Sequence, residues 1–208
     1  LIPILNKLGK TKRVEYIIKS ALLIKPENSS LITTYADLLY STQLFESSVI
    51  HYKRALSVNP NAIRAQANIA ESLTDLQRNE EALFYIDAAI SRNPRSQQLR
   101  FNRAFTFFLL KKYKEGWQAY EARLSQEIDQ APKRLINIPR WKHEPLKGKT
   151  ILVCSEQGVG DEIFFSAYVT KLATMAEHVI IETDPRLVPL FSRSFKHLEV
   201  HPYSRRIS

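Results

Sequence analysis

The sequence is poor in the residues that build cross-linked or turn-rich folds. One cysteine, Cys154, cannot close an intrachain disulfide. With a single thiol and five histidines, no structural zinc site is expected. Glycine occurs only five times in 208 residues, below the roughly 7% of average usage, which argues against an all-β architecture. No apolar run approaches the roughly 20 residues that a spanning helix needs, and Leu1 to Lys10 shows no secretory leader pattern. A cytoplasmic protein without a membrane span is expected. Because the first residue is not Met, a fragment of a longer chain is expected too.

The net charge of +9 is spread along the chain. Basic and acidic residues number 8 and 4 over residues 1–62, 10 and 9 over 63–130, and 12 and 8 over 131–208. No basic run exceeds two residues, and no RNA- or DNA-binding motif is present, so no nucleic-acid partner is expected.

What the sequence does have is a period. Pro26, Pro60 and Pro94 are spaced by 34 residues. Ala21, Ala55 and Ala89 precede them by five residues each, and Ala36, Ala70 and Ala104 keep the same step, followed by Leu39, Leu73 and Phe107. Small residues at fixed positions let paired helices approach, and each proline ends the second helix of a pair. The spacing predicts an A helix over about 29–42, 63–76 and 97–110, and a B helix over about 46–58, 80–92 and 114–124. A further B helix is expected over about 10–24. This pattern resembles the tetratricopeptide repeat family, with a partial repeat over 1–28 and repeats over 29–62, 63–96 and 97–130. The resemblance implies a stack whose A helices line an inner groove that holds an acceptor protein or peptide.

Two asparagines, Asn68 and Asn102, recur one period apart on that inner face, with Thr34 at the equivalent place before them. Amides can hold an extended peptide by its backbone without reading its side chains, although they can equally cap a solvated groove. Phe101, Phe105 and Phe108 form a stripe on the third A helix. Such a stripe is expected to pack on the segment that follows, with Phe101 and Phe105 the candidates for ligand contact. In KKYKEGWQAYEARL, Gly116 takes the small-residue slot.

Residues 131–148 hold Pro132, Pro139 and Pro145 and read as a linker, with Trp141 as its anchor. From residue 149 strands and helices alternate: TILVCS is a strand buried on both faces, EIFFSAYVTKLATMA a helix, HVIIET a strand, a helix opened by Asp184 and Pro185, then LEVHPY. A parallel α/β sheet follows, the start of a Rossmann-like unit. Gln157, Gly158, Gly160 and Asp161 sit after the first strand, at the edge where such sheets bind ligands. The two glycines are expected to make a tight turn open to a ligand. Asp161 is expected at the helix start, where a carboxylate also serves as an N-cap. Cys154 is expected to be inert core.

The order of these motifs resembles bacterial tetratricopeptide-repeat proteins fused to a GT-B glycosyltransferase domain, of the heptosyltransferase or protein O-GlcNAc transferase type. The residues that carry it are Gly116-Trp117, Tyr120-Glu121, Arg123, Gln157-Gly158 and Gly160-Asp161. The resemblance implies sugar transfer from a nucleotide-sugar donor to a protein acceptor. No further cofactor is implied, and Asp161 becomes the general base. It also implies a second lobe for the donor beyond residue 208, without which the chain is inactive. The competing expectation is a non-catalytic tetratricopeptide adaptor.

Overall fold

The computed structural model describes residues 11–125, 128, 138–156 and 158–203. The chain divides into two units, Leu1–Gln130 and Ala131–Ser208. No helix among the described residues is long and apolar enough to cross a membrane.

Among the described residues the first unit forms helices: α1 (Thr11–Ile24), α2 (Ser29–Ser41), α3 (Phe45–Val58), α4 (Ile63–Asp75), α5 (Asn79–Arg92), α6 (Gln97–Leu109), α7 (Tyr113–Tyr120) and a 3₁₀ turn over Glu121–Leu124. Helix starts are capped where the sequence permits. Asn28 accepts from the Leu31 N–H at 3.0 Å, and Ser96 from the Leu99 N–H at 3.3 Å. The A-to-B turns repeat one conformation. Gln43, Gln77 and Lys111, 34 residues apart, all have φ near +60°. Beyond each, an N–H reaches back to the helix: Leu44 to Leu39, Arg78 to Leu73 and Lys112 to Phe107, at 2.8 to 2.9 Å. This six-to-one closure satisfies carbonyls that the helix end leaves open.

The periodic alanines are where close approach demands them: Ala36, Ala55, Ala89 and Ala104 are fully buried, and Ala70 almost so. Around them Ile32, Val49, Tyr52, Ile69, Leu73, Ile86 and Leu99 form one continuous core across the repeats. The A helices also touch one another, α2 to α4 and α4 to α6, while the B helices α3 and α5 make no comparable contact. The A helices therefore line the inner side of the stack.

The third pair departs from the expected length. α7 stops at Tyr120 and its last turn tightens to 3₁₀ over Glu121–Leu124, a common ending for a helix whose next residue, here Ser125, is extended. The phenylalanine stripe packs on this segment. Phe101 stacks on Tyr120 with ring centroids 5.5 Å apart, and Phe108 meets Trp117 edge-on at 5.1 Å. Gly116 is buried because Phe108 lies over it: a Cβ there would sit 2.5 Å from the ring.

Among the described residues the second unit holds three parallel strands, β1 (Thr150–Cys154), β2 (His178–Thr183) and β3 (Glu199–Pro202), in the order β1-β2-β3. Ile151 pairs with Val179, and Ile181 with Val200. Helices α8 (Val159–Ser166), α9 (Val169–Ala173) and α10 (Val188–Ser194) connect them. Val169, Val179, Ile181, Leu187 and Phe191 are its core. This is a small parallel α/β unit, and nothing in its three strands marks a GT-B lobe.

Four expectations for this unit need correction. β1 is half-buried rather than buried on both faces, since it has a strand neighbour on one side only. Cys154 is accordingly half-buried and not core. The expected single helix after the first loop breaks at Ala167 and Tyr168, because α8 buries none of its side chains while Val169 of α9 turns into the core. Asp184 does not open a helix. Its carboxylate is buried and accepts from the Arg186 backbone and guanidinium and from the Tyr203 hydroxyl at 2.9 to 3.0 Å, so α10 begins only at Val188. Trp141 pins its own turn, donating from Nε1 to the Glu144 carbonyl at 2.7 Å.

Candidate functional site

The inner side of the helical unit carries a cavity of about 190 Å³ between α2, α4 and α6. It is lined by the apolar Ala67, Ala70, Ile86 and Phe105, by Tyr40, Thr74 and Thr106, and by the polar groups Glu71, Asp75 and Asn102. The repeat explains the opening. The A helices present small residues where they approach, and the period brings positions 40, 74 and 75 beside 102, 105 and 106. Phe105 keeps 45% of its surface exposed at the rim.

Each asparagine spends one amide N–H on an acid of the preceding repeat. Asn68 donates to Oδ1 of Asp37 at 2.7 Å, and Asn102 donates to Oε1 of Glu71 at 2.7 Å. Each bond ties one A helix to the A helix of the preceding repeat. Asp37 also accepts from the Tyr52 hydroxyl at 2.6 Å and pairs with Arg64. Thr34 uses its hydroxyl on its own helix, at the Ser30 carbonyl. Of the residues expected to contact a ligand here, Asn102 and Phe105 line the cavity, whereas Asn68 belongs to the Asp37 network and Phe101 is buried under Tyr120. Sequence reasoning missed Glu71, Asp75 and Tyr40. The signal was present as the pair Asp37 and Glu71, one period apart.

The cavity is electronegative. Burial, then the Asp75 and Asp37 charges, hold the Glu71 carboxyl above its ordinary value. Burial and the adjoining Asp75 carboxylate push Tyr40 up to about 12. Tyr52 is likewise raised, by burial and by its bond to Asp37. Among the described residues no ion pair reaches Glu71 or Asp75, whereas Asp37 has Arg64.

The glycine loop is different in kind. Gln157 lies outside the described residues. Gly158 is the N-cap of α8 with φ −80° and ψ 163°, ordinary extended backbone, and Gly160 is already helical. Neither conformation requires glycine. A Cβ on Gly160 would meet nothing within 4 Å, and one on Gly158 only Asp161 Oδ2 at 4.0 Å. Asp161 is not the cap but stands in the first turn, exposed to solvent, where a carboxylate favours the helix dipole. His197 and His201 are four residues apart but share no helix, since His201 lies in β3.

With the geometry in place, comparison with known proteins gives the following. Residues 63–96, the span of α4 and α5, match the tetratricopeptide repeat model. Protein FlbA of Caulobacter vibrioides is 30% identical over 202 residues, covering 94% of this chain and 34% of FlbA. The chain thus spans about a third of that relative's length. Among solved structures, MamA from Desulfovibrio magneticus RS-1 superposes with a TM-score of 0.55 at 12% identity over 62% of this chain and 71% of that one. MamA AMB-1 gives 0.53 at 18% identity over 60% and 74%. These likenesses show a repeat fold like that of MamA, with one tetratricopeptide repeat matched over residues 63–96. None of them speaks for a fused glycosyltransferase.

Proposed function

We propose that the helical unit is a protein-binding adaptor whose A helices α2, α4 and α6 receive an extended segment of a partner. The observation that carries this reading is the 190 Å³ cavity on the inner side of the stack, where three consecutive A helices contribute to one wall. Its lining is part polar and part apolar, and repeat stacks use their concave inner faces as binding surfaces. Hydrogen exchange on the chain, with and without a saturating pool of extended decapeptides, tests it. Slowed exchange in α2, α4 and α6 is expected; slowing confined to α3 and α5, or absent altogether, overturns it.

A second reading is favoured by Asp161, which stands exposed in the first turn of α8 at the carboxyl edge of β1. In that reading the chain is the acceptor-recognition part of a glycosyltransferase. Asp161 is then the base that takes a proton from an attacking hydroxyl, and Gly158 and Gly160 leave room for the substrate. Sugar transfer by the full-length protein that survives Asp161→Asn undiminished removes this reading.

A further inference from the structure

The inner cavity has a definite chemical preference, and it follows from its uncompensated charge. Glu71 and Asp75 lie one turn apart on α4 and both line it. Like charges at that spacing disfavour the helix. Asp75 is also the last residue of α4, where the free carbonyls of the helix end add partial negative charge. The neighbours that reach these carboxylates, the Asn102 amide and the Tyr40 hydroxyl, carry no positive charge. Elsewhere in the same groove the chain neutralises the equivalent acid itself, since Arg64 pairs with Asp37. Among the described residues this pocket therefore stays without a cationic partner, in a chain with a net charge of +9.

The shape narrows the occupant. A volume of about 190 Å³ is more than ten times the roughly 10–15 Å³ that one water requires. Ala67, Ala70, Ile86 and the exposed part of Phe105 would cover an aliphatic stem, and Glu71 and Asp75 lie in the same lining to meet its end. That combination suits a long side chain with an apolar stem and a cationic head, for which the neighbouring Phe105 and Tyr40 rings are favourable company. It does not suit a bare metal ion: among the described residues no three ligating side chains converge. We infer that this pocket takes a lysine or arginine side chain from a partner segment lying along α2, α4 and α6. The inference rests on the adaptor reading and adds the partner's chemistry.

The test uses four decapeptide pools with randomised flanks and a fixed central residue, lysine, arginine, norleucine or glutamate. Each is equilibrated with the whole chain, and bound peptides are counted by mass spectrometry. Lysine and arginine pools are expected to be enriched at least tenfold over norleucine and glutamate, and the advantage shrinks in high salt. Asp75 is exposed, so Asp75→Lys keeps the fold and is expected to reverse the preference toward glutamate. Glu71→Gln, which keeps an acceptor for Asn102, is expected to reduce the enrichment several-fold with an unchanged circular dichroism spectrum. Equal retention of norleucine and lysine pools, or an unchanged preference in Asp75→Lys, overturns the charge-reading pocket while the adaptor reading stands. Retention of no pool at all overturns both.

Discussion

Replacing Asp37 by alanine removes the acceptor at which two repeats are joined. Three donors lose their partner: the Tyr52 hydroxyl at 2.6 Å, the Asn68 amide at 2.7 Å and the Arg64 guanidinium. Tyr52 is only 1% exposed, so its hydroxyl finds no water in exchange, and orphaning it costs about 1–3 kcal/mol. Arg64 is mostly exposed, and its ion pair adds only about 0–1 kcal/mol. Asn68 is half-buried and is rehydrated in part. The expected loss is therefore about 2–3 kcal/mol, dominated by the tyrosine. Urea titration followed by far-ultraviolet circular dichroism measures it, with Tyr52→Phe and the double variant completing a cycle. Because each repeat contacts only its neighbours, the loss belongs to the interface between the first two complete repeats. A coupling of about 1 kcal/mol or more between positions 37 and 52 is expected. A loss below about 0.5 kcal/mol, the range of ordinary surface substitutions, refutes the idea that this acid joins the repeats.

Other consequences are equally specific. Gly116→Ala drives a Cβ to 2.5 Å from the Phe108 ring, an overpacking cost of about 1–3 kcal/mol offset by about 1 kcal/mol of helix propensity; a net destabilisation with a shifted Trp117 emission is expected, and an unchanged spectrum contradicts it. Gln77→Gly relieves a positive φ at an exposed turn and is expected to stabilise the chain by about 0.5 kcal/mol; a lower thermal midpoint contradicts it. Glu71 has a raised pKa, set by burial and by the Asp75 and Asp37 charges. Its favourable contribution is complete below the ordinary glutamate value and is lost as pH rises through the raised one. Glu71→Gln is therefore expected to gain on the parent between pH 4 and pH 7 in thermal midpoint, and a constant difference refutes the raised pKa.

The helical half was legible because its physics is periodic. Prolines, alanines and the residues three places on from them all repeat at 34, since each marks a site where one helix pair must meet the next. The amide row was legible as a row but not as a network. Asn68 and Asn102 bond to acids 31 residues earlier, which is one period less one helical turn, a spacing that no single-position comparison detects. The register also ends at Phe105, where an aromatic ring stands in place of a third acid, so the acidic positions did not announce themselves as a series. In the α/β unit, the parallel strand direction followed from alternation. The helix break at Ala167 did not, because it depends on Val169 finding the sheet. The role of Gly158 and Gly160 was inferred from their place after the first strand, but Gly158 is ordinary extended backbone and Gly160 is helical, so neither conformation needs glycine.

The claim that the inner side of the helical unit binds a partner is tested most directly by photo-crosslinking. A benzoylphenylalanine placed at Thr74, on the cavity wall, is compared with one at Ile50, which is exposed on α3. With a lysine-centred decapeptide the account predicts adducts at position 74 and none at position 50. Adducts at position 50 alone, or equal labelling at both, contradict it.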